Sequence, residues 1–515
     1  MSFSKSAFTR ACLGASLSLA IAGGAYAATD TVRYVVEFKP GLAAAARQAL
    51  TAAGGRVQLE LTNLDAVAVE MPKAMVANLR KHAAIARIEE DAKRYPLGLE
   101  AVDGTYKAGQ TIPYGISLVQ ADQLSDENTA NRMICIIDSG YDRDHEDLSA
   151  NDVDGEFDPG SGWWYQDGLH HGTHVAGTIA AIDNKGTGVV GVNPNKRIKL
   201  HIVKVFGDSG AWTYSSTLAA AAKKCGAAGA NIISMSLGGG APSAAEQKAF
   251  DKLYKQGVLS IAAAGNGGNT AVSYPAGYAS VLSVAAVDEN KNWATFSQYN
   301  SDVELSGPGV HVLSTVPMGT GTSPSLKVEK TQYAPGSMDG SAQTKVTAKL
   351  ADFGLGDKVD NKVAGKVCLI QRGEIDFATK VSNCVASGGV GAVVYNNVAG
   401  SFDGTLNGET TIPAVTASDT EGAQLVTQLG DDATVAVKAS NYAFFQGTSM
   451  ATPHVSGVAA LVWSYFPDCT PAQLRTSLEK SALDIGTAGF DNKTGYGLVQ
   501  AKAAHDRIAK KGCGR

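Results

Sequence analysis

Basic charge is what this sequence does not have in excess. Lys and Arg number 44 against 49 Asp and Glu, a formal net charge of −5 over 515 residues. A protein that tracks a nucleic-acid backbone needs a basic patch or stripe, so the balance argues against nucleic acid as a partner. Charge of either sign is sparse at 18%, against 44% apolar residues, which excludes a disordered chain. Long apolar runs are missing too. After residue 27 no stretch of about eighteen apolar residues is free of charge, so no membrane span is expected. The early apolar run, 11–22, is too short to span; with Lys5 and Arg10 before it and Ala25-Tyr26-Ala27 after it, residues 1–27 read as a secretory signal. Cysteine is scarce, seven in all, and Cys12 leaves with the signal. Export permits disulfides, and six cysteines allow fifteen connectivities. Cys368 with Cys384, and Cys469 with Cys513, are the expected pairs; Cys135 and Cys225 are as readily free and buried as bonded.

What is present is glycine, 58 residues of it, which suits tight turns and close backbone approaches. Length gives a prior of roughly three to four units, and the chain divides accordingly. Strand-like runs at 33–39, 64–71 and 85–89 alternate with helical stretches at 42–53 and 73–81, a small α+β unit. A charged stretch, 89–94, leads into a looser region that runs to Gly109. From Gln110 the pattern becomes β-α alternation with continuous apolar strands at 133–137, 200–205, 231–237 and 258–263, and helices at 171–181, 215–226 and 244–256. This predicts an α/β fold with a parallel sheet flanked by helices on both faces. A β-rich unit interrupts it over 318–441, with strands at 365–370, 391–396 and 434–438 and a helix at 377–387. The pattern then resumes in a long apolar helix, 449–463.

Three polar residues stand where such a sheet places its ligands. Asp138 follows the strand 133–137, His171 opens H-G-T-H-V-A-G, and Ser449 lies in G-T-S-M-A-T-P-H. Each alone has a plain structural explanation, a helix cap or a surface imidazole. Together they supply an anion, a base with a pKa near neutrality and an ester-forming hydroxyl, in the chain order Asp, His, Ser known from one group of serine proteases.

On these motifs, with S-M-S-L-G-G at 234–239 and A-A-A-G-N-G at 262–267, the chain resembles the subtilisin-like serine proteases of the secreted bacterial type. The resemblance implies that Ser449 attacks the scissile carbonyl, His171 moves the proton, Asp138 fixes the imidazole and Asn266 supplies the side-chain half of an oxyanion hole. His170 and His174 are rivals for the base, and His174 reads as a packing residue. Ser236, Leu237, Gly238, Ala264, Gly265 and Ser273 are expected to line the substrate cleft. Gly267 follows Asn266 where some relatives carry an acid, and no carboxylate is evident for a basic side chain, so an apolar or aromatic residue is expected before the cut.

Gln110, Asp147, Ile182, Asn184, Thr187 and Val189 resemble the family's structural calcium site, although 183–186 also reads as an ordinary turn. Residues 28–109 resemble its inhibitory, folding-assisting prosegment, with self-cleavage expected within 97–109; a plain accessory domain is the alternative. The catalytic domain is then 110–317 with 442–515. The insertion 318–441 resembles a protease-associated domain, in which Arg372 reads as a salt-bridge or packing residue. The expected partners are protein or peptide substrates and the chain's own prosegment, in a monomer with no membrane attachment. A catalytically silent binding module on the same fold is the competing reading.

Overall fold

The computed structural model describes residues 30–97, 99–102, 109–208, 212–402, 404–406 and 408–515. The expected signal and Cys12 lie outside the described residues, as do 98 and 103–108 of the expected cleavage window.

The strand Met133–Asp138 explains the central sheet. It is apolar up to its last residue, so both faces must be covered. Ile134 and Ile136 enter one core with Val175 and Val455; Cys135 and Ile137 enter another with Leu218 and Phe250. Seven strands lie in the order Val303–Pro308, Val281–Val287, Leu259–Ala263, Ile232–Met235, Met133–Asp138, Lys199–Lys204, Asp152–Gly155, every neighbouring pair parallel. Helices His171–Ala180 and Thr448–Tyr465 cover one face, Ser215–Ala227 and Ala244–Lys255 the other. Because the strands are parallel, Asp138, Ser236 and Asn266 emerge at one edge. Cys135 and Cys225 are bonded, tying the central strand to a covering helix; the expected Cys368–Cys384 and Cys469–Cys513 bonds are also present.

The N-terminal unit has its own core of Val36, Leu50, Val67 and Val69. Its antiparallel sheet runs in the order Arg56–Leu61, Ala66–Pro72, Thr31–Phe38, Ile85–Glu90. One face of that sheet meets the main domain through Val35, Leu61 and Ala66 around Ala245. Two carboxylates complete the junction. Glu89 accepts from Ser243 Oγ at 2.8 Å and the Ala244 N–H at 2.9 Å, and Asp91 from Ser215 Oγ at 2.9 Å and the Ser216 N–H at 3.0 Å. Both satisfy orphan N–H groups at helix starts, where negative charge is also favoured. The charged stretch 89–94 and the looser region expected after it contain two strands, Lys93–Pro96 and Leu99–Val102. Their partners lie far along the chain, which is why local pattern did not announce them.

The inserted unit is a mixed seven-stranded sheet in the order Thr331–Tyr333, Gly321–Val328, Asp432–Ser440, Lys345–Asp352, Val367–Gln371, Gly391–Tyr395, Ala414–Ala417. Its last four strands are parallel to one another. Arg372 bonds Asn396 at 3.1 Å and lies over the Phe402 ring at 4.6 Å, a packing role. The chain enters and leaves through the paired strands Val312–Thr315 and Tyr442–Gln446. At the exit, Glu146 accepts from Asn441 Nδ2 at 2.9 Å and from Tyr442 Oη at 2.9 Å.

Candidate active site

Asp138 is fully buried at the end of its strand, with Oδ1 accepting the Ser139 N–H at 2.7 Å and lying 2.8 Å from His171 Nδ1. The helix that His171 opens is pressed onto this turn: a Cβ on Gly172 would stand 2.2 Å from the Gly140 carbonyl oxygen. The Gly172 N–H donates to Ser139 Oγ at 2.8 Å, and Ser139 Oγ donates to Asp167 at 2.7 Å. Burial presses the His171 imidazole toward neutrality, but the Asp138 charge and hydrogen bond outweigh it and hold the pKa above the ordinary histidine value. With the neutral ring's proton on Nδ1, Nε2 is left as the basic atom; it is buried and takes no hydrogen bond among the described residues. His174, by contrast, stacks on Phe445 at 4.4 Å and bonds the Val312 carbonyl at 3.0 Å. Burial and the neighbouring His171 push its pKa down to about 3, so it packs as a neutral ring. His170 precedes the helix in a left-handed conformation, φ 64°.

Ser449 stands in the first turn of Thr448–Tyr465, a helix that packs along His171–Ala180. Asn266 Oδ1 accepts both the Thr448 N–H at 2.9 Å and Thr448 Oγ1 at 2.8 Å. That clamp leaves Asn266 Nδ2 to donate elsewhere, and it donates to the carbonyl oxygen of Leu97. Ser449 Oγ donates to the same oxygen at 2.6 Å, and no hydrogen bond joins it to His171. Gly447, at φ 146°, makes room: a Cβ there would lie 2.6 Å from the Leu97 oxygen. Thr448 and Ser139 escaped the sequence reading as positioning residues, although both lie inside motifs it singled out.

Leu97 is held there as an extended peptide. Lys93–Pro96 is the middle strand of a small antiparallel sheet, between Thr213–Tyr214 and Leu237–Gly238, and the Leu97 N–H bonds the Ser236 carbonyl at 3.1 Å. Added strands bind in this way, main chain for grip and side-chain pockets for choice. A Cβ on Gly238 would meet Leu97 Cδ1 at 2.9 Å and Ser273 Oγ at 2.3 Å, so Gly238 borders the Leu97 side chain and has Ser273 close beside it. Ala264 and Gly265 continue from Leu259–Ala263 into Asn266, and the Gly265 N–H bonds Thr448 Oγ1 at 3.2 Å. Beyond residue 98, Leu99–Val102 pairs antiparallel with Tyr442–Gln446.

The loop 182–189 carries four of the residues singled out for a cation, and the segments holding Gln110 and Asp147 are hydrogen-bonded to it. Asp147 is fully buried, and its carboxylate accepts from the Asn184 amide and from the Val189 N–H at 2.7 Å. Burial raises its pKa. Gln110 is turned to Asp183 at 2.8 Å, while the Thr111 N–H bonds the Gly188 carbonyl at 2.8 Å. No cluster of three or more His, Cys, Asp or Glu that could hold a metal occurs among the described residues. One carboxylate with amide and backbone oxygens is a donor set of the kind a hard cation takes.

A parallel α/β sheet with a buried His–Asp pair at one strand end, and a helix-opening serine clamped beside an amide donor, is the build of a serine hydrolase. The family model described as the Subtilase family matches residues 129–346 and 389–497, and one described as the PA domain matches 334–425. The chain belongs to the subtilase family: it is a subtilisin-type serine endopeptidase with an inserted PA domain. It is 44% identical to subtilisin DY of Bacillus licheniformis over 42% of this chain and 78% of that one. It is 35% identical to subtilisin E of Bacillus subtilis over 56% and 74%. The crystal structure of the subtilisin-like protease Apa1 from the Antarctic psychrotroph Pseudoalteromonas sp. AS-11 aligns at TM-score 0.62 and 42% identity, covering 79% of this chain and all of that one. Among the described residues no helix is long and apolar enough to cross a membrane.

Proposed function

We propose that this endopeptidase works through Ser449 as nucleophile, His171 as general base and acid, Asp138 as the anion that orients His171, and Asn266 as an oxyanion donor, and that its first substrate is itself. The observation that carries this reading is the Leu97 carbonyl, bracketed by Asn266 Nδ2 and Ser449 Oγ at the end of an added strand. Residues 28–97 then act as the prosegment. Their docking on two helix starts supports a folding and inhibitory role, and once the bond is cut the strand 93–97 remains as an occupant of the cleft. Leu97 against Gly238 supports an apolar residue before the cut. Expression followed by N-terminal sequencing tests the reading: the new N-terminus falls at residue 98, or at a later residue through trimming. A chain that stays whole, or a first cut elsewhere, overturns it.

The signal at 1–27 and the resemblance to secreted subtilisins support export to the bacterial exterior. The inserted PA domain binds or restricts protein substrates rather than joining the chemistry. For calcium, Asp147, Asn184, Gln110 and the carbonyls of Ile182, Thr187 and Val189 would hold the ion. A half-turn of the Asn184 amide brings its oxygen beside the carboxylate, an arrangement a cation between them stabilises. Bound calcium would brace the loop 182–189, and it supplies no step of catalysis. Calcium at a hundred times its Kd is expected to stabilise the fold by about 2.7 kcal/mol. Thermal unfolding with calcium and with EDTA measures this, and Asp147→Asn should erase the difference.

A further inference from the structure

The non-prime side of the cleft holds a charged pair that the apolar view of substrate choice does not account for. Arg94 lies three residues before Leu97, and it is completely buried. Its guanidinium grips Glu246 with two parallel bonds, Nε to Oε1 at 2.9 Å and Nη2 to Oε2 at 2.5 Å, while Nη1 donates to the Lys93 carbonyl at 2.9 Å. Glu246 is likewise fully buried and takes a further bond from Tyr278 Oη at 2.7 Å. Tyr278 is itself fixed, accepting the Ser243 N–H at 2.8 Å. The acceptor is therefore built into the catalytic domain, at the start of the helix Ala244–Lys255, and preset by a tyrosine. The wall beside it is bare backbone. A Cβ on Gly239 would strike the Lys93 carbonyl oxygen at 2.2 Å and stand 3.2 Å from Arg94 Nη1. One residue further out, the Lys93 ammonium sits 4.0 Å from the Trp212 ring centre, a second and separate provision for a cation.

We infer that this enzyme selects substrates with arginine at the fourth position before the cut, through Glu246, in addition to an apolar residue at the cut itself. The inference rests on the reading that residues 93–97 lie as a substrate does. With an occupant sealing the site from water, a carboxylate beside a fixed phenol is costly to leave unpaired, and a planar five-donor fork satisfies it where an aliphatic side chain does not. Lysine, a point charge with no fork, binds less well. A second cation one residue earlier gains a smaller, surface-screened contribution from Trp212.

The test uses the active enzyme recovered from full-chain expression and peptides of sequence Lys-X-Tyr-Pro-Leu joined to a chromogenic amine, with X as Arg, Lys, citrulline or Ala. Cleavage after leucine is expected in all. kcat/KM for Arg should exceed that for Ala by roughly 10²-fold, with Lys between and citrulline, a planar uncharged urea that keeps three of the five donors, well below Arg. In Glu246→Gln the Arg-to-Ala ratio should collapse to within about fivefold. Equal rates for Arg and Ala in the unaltered enzyme overturn the inference and leave the pair as a docking contact of the prosegment alone. A ratio that survives Glu246→Gln overturns the role of that residue. If no peptide is cut after leucine, the reading of Leu97 fails first, and the subsite falls with it.

Discussion

Ser449→Ala is expected to leave the chain at full length, with peptide hydrolysis reduced on the order of 10⁶-fold. The only polar atom this change removes is Oγ, which lies 2.6 Å from the oxygen of the carbonyl group whose carbon it is proposed to attack. Asn266 keeps its clamp on Thr448 and its bond to the Leu97 oxygen, so the cleft stays intact and occupied. Intact mass and sequencing distinguish the outcomes cleanly. A variant that still cuts itself after Leu97 would move the chemistry to another group, whereas an uncut variant that refuses all substrates matches expectation. Mixing it with unaltered enzyme adds a second reading: cutting in trans would show that the bond is reachable only when the docked segment lets go.

Asp138→Asn should lower kcat by about four orders of magnitude, because an amide at that position can hold the imidazole in the wrong tautomer. The pH profile carries the more specific signature. The base must be neutral to accept a proton, and the Asp138 anion holds the His171 pKa above the ordinary histidine value against the pull of burial. The acid limb of kcat/KM in the unaltered enzyme is thus expected above pH 6.5, the ordinary histidine value. Without the anion, burial prevails and the limb shifts downward. A profile unmoved by the substitution would mean that another group titrates.

The parallel sheet was legible because its strands are apolar on both faces, and the runs at 133–137, 200–205, 231–237 and 258–263 all became strands. Val281–Val287 and Val303–Pro308 were not recognised, since no clear helix separates them to mark the alternation. The polar residues at the strand ends were legible for a different reason: their motifs are contiguous, and each motif carries its own turn. The added strand Lys93–Pro96 was not, because its pairing partners lie at 213–214 and 237–238. Glu246 was overlooked for the same reason. In the sequence it is one more acidic residue near a helix start, and only the fold sets Arg94 against it. No carboxylate was evident in the sequence for a side chain at the cut, and nothing there marked the one that meets Arg94 three places upstream.

Glu146 has a consequence beyond the hydrogen bonds it makes. The exit strand Tyr442–Gln446 runs straight from the inserted sheet into Gly447 and Ser449, the proposed nucleophile, so any sway of that appended body would have a very short leash to it. Asn441 and Tyr442, pinned to one carboxylate, are a mooring at the near end of that leash. That mooring would let the appended body diverge in shape, or meet a bulky client, without dragging the proposed nucleophile off its mark.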